Sequence, residues 1–227
     1  MRTNSPQRRA FTLTELVLVI ATMGVLATFL VHAQLDPQDK GKRDRLRCVN
    51  QLKQVGLAFR IWANDTDDKF PMQVPAQKGG SMEAIQDGQP YRHFKAIAKE
   101  LNKAKLLACP GDDREVAEDF DKLKNANVSY FVGLDADETK PQMLLAGDRN
   151  ITNGVAPKKG ILELSDKPAS GWTEAIHNFA GNVGLADGSV QEATTAALRK
   201  QVALANESNK SERTRLQLPE AGSSSSE

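Results

Sequence analysis

A chain of 227 residues, 40% hydrophobic and 26% charged, suits one folded domain with extensions. With 30 basic against 29 acidic side chains and only 5% aromatics, it has neither a basic field for phosphates nor stacking surfaces, so no nucleic-acid partner is expected. Two cysteines, Cys48 and Cys109, are too few for a disulfide-built scaffold or a four-cysteine zinc site, and the core must come from apolar packing.

The first ten residues, MRTNSPQRRA, hold three arginines, a proline and no acid. From Leu16 to Ala33 there is no formal charge unless His32 is protonated. That run of about 18 residues rises roughly 27 Å as a helix, close to a hydrocarbon core of about 30 Å. The arginines ahead of it predict a cytoplasmic start and an exported remainder. Glu15 does not fit an ordinary anchor, because an acid at mid-membrane costs about 2.5–3.5 kcal/mol, less near the edge. Either it stays hydrated at the interface, or it meets a positive group on a neighbouring copy.

Arg8-Arg9-Ala10-Phe11-Thr12-Leu13-Thr14-Glu15-Leu16 resembles the cleavage and methylation signal of type IV prepilins and type II secretion pseudopilins. The resemblance implies that prepilin peptidase cuts after Ala10 and methylates the new amino group of Phe11. It also implies that Glu15, at the fifth mature position, meets the N-terminal amine of an adjacent subunit during assembly. Ala10 stands where glycine is usual in the family, and Thr14 is a milder departure. Two rival readings use the same residues. A Sec signal peptide cut at Val31-His32-Ala33 would leave a soluble chain beginning at Gln34. Arg8-Arg9 also partly matches a twin-arginine signal. Glu15 inside the apolar region argues against both.

Beyond Pro37 and Gly41, Leu46, Val49, Leu52, Val55, Phe59 and Trp62 recur at spacings of three and four, predicting an amphipathic helix to about Asn64. RCVNQLKQVGLAFRIWANDTDDKFP is similar to a segment that follows the membrane helix in pseudopilin-like proteins of the Planctomycetes and Verrucomicrobia. Residues 73–90 read as a loop and 93–107 as a short helix. Strands are expected at 128–134, 142–146, 160–164, 174–179, 182–186 and 189–192, with Asp187-Gly188 as a hairpin turn. Thr194 or Thr195 caps a last helix to about Asn206, and 207–227 is expected to be disordered.

The segment HNFAGNVGLADGSVQ, with His177 nine residues ahead of Asp187-Gly188, resembles an H-x9-DG element found near the C-terminus of prepilin-processed proteins in the same phyla. His177 and Asp187 are expected on neighbouring strands, joined by a structural hydrogen bond. Calcium is the metal considered, with Asp135, Asp137, Asp148 and Asp187 as candidate oxygen ligands, although no calcium-loop pattern occurs. Cys48 and Cys109 are a candidate disulfide in an oxidising compartment, or else two buried thiols. No nucleophile-elbow, Walker or dinucleotide signature occurs, so no enzymatic activity is expected.

The expected fold class is α+β and pilin-like: a long N-terminal helix, half membrane-spanning and half amphipathic, packed on a small antiparallel sheet. The expected organisation is a leader (1–10), a transmembrane helix (11–35), an exported globular domain (36–206) and a tail (207–227). The resemblance implies a single-pass inner-membrane protein with a periplasmic domain, assembled into a type II secretion pseudopilus or a type IV pilus-like filament. Its partners would be prepilin peptidase, other pilin subunits, the inner-membrane platform and lipid. The alternative is a membrane-anchored periplasmic binding module that does not polymerise.

Overall fold

The computed structural model of the protein describes residues 12–33, 37–165 and 170–220. They fall in two units divided between Lys42 and Arg43. A largely apolar run without proline forms helix α1 (Leu13–Ala33) in the first unit. Helix α2 (Pro37–Asn64) opens on proline, whose fixed φ and missing N–H suit a first helical position, and crosses into the second unit.

This corrects the expected architecture. The class is α+β with an antiparallel sheet, but there is no long N-terminal helix: α1 and α2 are separate elements. The part of α1 whose side chains are described, 13–28, rises only about 24 Å against a hydrocarbon core of about 30 Å. No helix among the described residues is long and apolar enough to cross a membrane. The leader, Ala10 and Phe11 lie outside the described residues.

On α2 the inward stripe is Cys48, Leu52, Val55 and Phe59, each at most 1% exposed, whereas Leu46 points to solvent. Three short helices follow: α3 (Ala84–Asp87), α4 (Tyr91–Ala96) and α5 (Ala98–Leu101). The single helix expected at 93–107 is broken. Ile97 leaves helical geometry and Asn102 turns left-handed at φ 64°, so the remainder tightens into a 3₁₀ turn at Ala104–Leu107.

The strands are β1 (Tyr130–Gly133), β2 (Leu144–Asp148), β3 (Ile151–Thr152), β4 (Ile161–Leu164), β5 (Gly171–Trp172), β6 (Ala180–Leu185) and β7 (Val190–Thr194). Helix α6 (Thr195–Asn209) and strand β8 (Thr214–Gln217) complete the chain. The Thr194 side chain accepts from the Ala197 N–H and caps α6, as its position predicts. Six strands form one antiparallel sheet in the order β4-β8-β1-β2-β6-β7; β3 and β5 pair separately. Residues 207–220, expected to be disordered, instead end α6 and supply β8, which is inserted between β4 and β1.

Both faces of the sheet are covered. Tyr130 and Val132 join Cys48, Leu52 and Phe59 of α2 with Phe94 and Leu107, while Phe131 joins Leu198 and Val202 of α6 on the other side. Burial on both faces leaves β1 and β2 without alternation, apolar up to the buried Asp148 that ends β2.

Candidate functional site

Four polar side chains converge where α2 meets the ends of β1 and β2. Cys48 enters from α2, as the first residue of its buried stripe. Asp148 ends β2, directly across from Tyr130. Cys109 sits in the Cys109-Pro110-Gly111-Asp112 turn, where its N–H donates to Ser129 Oγ at 2.9 Å and its sulfur accepts from the Gly111 N–H at 3.4 Å. Asp112 anchors that turn through a two-pronged bond from Arg149, at 2.8 and 2.7 Å.

His177 arrives from the segment between β5 and β6. The expected strand at 174–179 does not form: His177, Asn178 and Phe179 have φ of 56°, 52° and 58°. Three consecutive left-handed residues other than glycine cost about 1–3 kcal/mol each and persist only where the surroundings impose them. Asn150 supplies much of that restraint, its buried Nδ2 lying 3.0, 2.6 and 3.0 Å from the carbonyls of Thr173, Ile176 and Ala180. Arg45 donates to the His177 carbonyl at 2.7 Å. Gly111 leaves room for the ring, since a Cβ there would stand 3.0 Å from His177 Cε1. Asn150→Ala is therefore expected to lower stability by about 2 kcal/mol in urea denaturation, because carbonyls lose their donor. Asn150→Asp, which sets a carboxylate against them, should cost more.

The donor atoms of Cys48, Cys109, Asp148 and His177 all lie within 4.8 Å of one another. The Cys48 thiol donates to Asp148 Oδ1 at 3.0 Å, and its sulfur is 3.5 Å from the Tyr130 hydroxyl. His177 Nε2 is 3.4 Å from Cys109 Sγ and 3.5 Å from Asp148 Oδ2. Asp148 Oδ2 also accepts from the Asn182 N–H at 2.7 Å and Nδ2 at 3.0 Å. Both cysteines are buried, and the His177 side chain is 4% exposed.

This enclosure shifts the protonation equilibria of all four groups. Burial raises the Cys48 thiol, with the neighbouring charges adding to it. The neighbouring Cys48, helped by His177 and the Gly111 amide, brings Cys109 down to about 6. Burial pushes Asp148 up to about 7, and the Cys109 charge adds to the rise. For His177 burial works downward, but the Cys109 hydrogen bond and the charges of Asp148 and Cys109 outweigh it and the net shift is upward.

No family model, curated protein or solved structure matches the chain. The geometry itself therefore carries the chemical reading. Two sulfurs, an imidazole and a carboxylate converging on one point form a candidate metal-binding group.

The expected site residues are redistributed. Cys48 and Cys109 are brought together as free thiols, not as the candidate disulfide. Asp148 joins them, whereas the other calcium candidates do not converge. Asp135 accepts from Arg215 Nε and N–H at 2.9 and 2.8 Å, Asp137 from Thr139 N–H at 3.0 Å, and Asp187 from Ser189 N–H at 2.8 Å. Calcium prefers six to eight oxygens, a set that two sulfurs do not supply.

His177 and Asp187 are not hydrogen-bonded partners on neighbouring strands; they flank the two ends of β6, whose six residues span about 20 Å. Both motif ends reach α2 instead. The His177 carbonyl takes Arg45, and the Asp187 carbonyl takes Arg60 at 2.9 Å. Gly188, left-handed at φ 84°, lies against Gly56, where a Cβ would stand 3.7 Å from its Cα. Arg45 and Arg60 are separated by roughly 22 Å of helix, so the spacing from histidine to Asp-Gly matches two points on one helix.

Proposed function

We propose that this chain is a prepilin-type structural subunit, processed by prepilin peptidase and assembled into a type II secretion pseudopilus or a type IV pilus-like filament. In this reading cleavage follows Ala10, Phe11 is methylated, and the domain from Arg43 onward lies on the periplasmic side of the inner membrane. The other subunits and the inner-membrane platform are its partners. The single observation that carries the reading is the leader pattern: basic residues, a small residue, Phe11, Glu15 five positions into the mature chain, and an apolar helix.

Glu15 has a local role to be separated from assembly. Its Oε2 accepts from Thr12 N–H and Oγ1, each at 2.9 Å, and Thr12 Oγ1 accepts from the Glu15 N–H at 3.4 Å. This is a capping box, in which glutamine serves as well as glutamate. Glu15→Gln therefore keeps the helix start while removing the charge. The expected result is normal cleavage and subunit abundance with loss of sheared filaments. Filament yield equal to wild type would sink the assembly role of Glu15, and absence of filaments from the wild type as well would favour the anchored binding module that does not polymerise. Intact mass of membrane-extracted protein is the companion measurement: a start at Phe11 with one added methyl is expected, whereas a start at Gln34 would point to a cleaved export signal.

Calcium has no part in this proposal, because Asp148 is the one candidate carboxylate in the cluster and it lies beside two sulfurs.

A further inference from the structure

We infer that Cys48, Cys109, Asp148 and His177 are the four ligands of a tightly bound divalent ion of the zinc class, in a closed tetrahedral centre that ties α2 to the sheet. The inference is independent of filament assembly.

Distance is the first argument. A tetrahedral ion with bonds of about 2.0–2.3 Å places its ligand atoms about 3.3–3.8 Å apart. The separations Cys109 Sγ–His177 Nε2 of 3.4 Å and His177 Nε2–Asp148 Oδ2 of 3.5 Å fall in that range. Cys48 Sγ lies 3.0 Å from the other carboxylate oxygen, Oδ1, and one donor atom from each of the four residues falls within 4.8 Å of the rest. Donor chemistry is the second. Two thiolates and an imidazole select zinc or cobalt over calcium and magnesium, and four protein ligands leave no open coordination position, as in structural centres.

The surroundings are also those of a ligand shell. Asn182 holds Asp148 with two donors, the Gly111 N–H and the Tyr130 hydroxyl lie on the two sulfurs, and Asn150 and Arg45 fix the strained backbone that presents His177. Such outer contacts orient the groups that bind a metal. A disulfide would account for the two sulfurs but not for an acid and an imidazole enclosed beside them.

Binding involves no redox step. The ion displaces the Cys48 proton, the proton shared by Cys109 and His177, and any proton on Asp148, and these pass to solvent. Two thiolates, a carboxylate and a neutral imidazole around a divalent ion leave one net negative charge, facing the Asn182 donors.

The test uses the full-length chain in detergent, purified without a polyhistidine tag and with no added metal. Elemental analysis is expected to give one zinc per chain. Replacement by cobalt should give intense visible bands of a tetrahedral ion and a near-ultraviolet thiolate-to-metal band. Cys109→Ser and His177→Gln should lose the ion, and loss of the thiolate band in Cys109→Ser identifies the ligand directly. Tyr130→Phe, which leaves all four ligands in place, should weaken cobalt affinity about tenfold and serves if the ligand variants do not fold. A wild-type chain that binds neither zinc nor cobalt, with both thiols free, would overturn the inference. So would a native chain lighter by two hydrogens with Cys48 joined to Cys109, or cobalt binding unchanged by Cys109→Ser.

Discussion

Phe59→Ala is expected to destabilise the domain by about 4 kcal/mol, read as a lower urea midpoint with an unchanged slope. Phe59 is fully buried on the inward stripe of α2. Its ring meets Phe70 edge-on at 6.3 Å between centroids and Phe94 at 5.8 Å, and each such pair adds about 0.5–1.5 kcal/mol beyond its buried area. The loss is a large share of the roughly 5–15 kcal/mol that holds a typical domain together. Phe59→Leu retains most of the volume and should cost about half as much. Ile61→Ala, on the exposed face of the same helix, should stay within about 0.5 kcal/mol. Equal losses at positions 59 and 61 would show that α2 does not dock by this face. Cys48 lies three turns upstream on the same stripe, so what seats Phe59 also seats the cluster.

That stripe was largely legible in the sequence, because a period of 3.6 survives whatever the partner is. Leu52, Val55 and Phe59 are buried as the spacing predicts; Leu46 is not, its side chain facing solvent. The Asp187-Gly188 hairpin and the Thr194 cap were equally legible, because each follows from the local chemistry of one or two residues. Features imposed from a distance were not. The segment 174–179 has strand-like composition, yet Asn150, more than twenty residues away, folds it into a left-handed run. Strand β8 alternates weakly because Thr214 and Gln217 are buried polar residues, and its place between β4 and β1 is a tertiary fact. The separation of α1 from α2 had one local sign, Pro37, which reads equally as a kink or as a helix start.

The cluster escaped for a related reason. Each of its members had a plausible partner elsewhere: Cys48 and Cys109 in one another, His177 in Asp187, Asp148 among scattered acids. Zinc ligands are recognised in sequence when two lie within a few positions, and here each comes from a different element. The available sign was weaker: an inward cysteine on α2 and a Cys-Pro-Gly turn that leaves room for a ring. Only the fold brings these together. Its consequence for the H-x9-DG element is that the histidine side chain belongs to the cluster while the Asp-Gly turn docks on Gly56 and Arg60.

Acidification from pH 6.5 to 4 is expected to remove about 3 kcal/mol of stability through His93 alone. Its ring is fully buried between Ser81, whose Oγ is 2.7 Å from Nδ1, and Gln217, whose Oε1 is 2.8 Å from Nε2. Gln217 Nε2 donates to the carbonyls of Ala84 and Ile85, which turns its Oε1 toward the ring and makes Nε2–H the donor. Burial holds the His93 pKa down to about 4, against about 6.5 for an exposed imidazole. Between those values the unfolded chain binds a proton that the folded chain refuses, so stability is complete above pH 6.5 and falls as pH falls toward 4. Asp148, raised to about 7, acts with the opposite sign over much of the same range, because there the folded state holds the extra proton. The measurement is therefore a difference: urea denaturation of wild type and His93→Gln at intervals from pH 4 to 7, in which the Asp148 contribution cancels. The gap between the two should narrow by about 3 kcal/mol as pH falls. A gap independent of pH would mean that His93 takes up its proton inside the folded protein, and that the link from Gln217 of β8 to α4 is looser than its distances indicate.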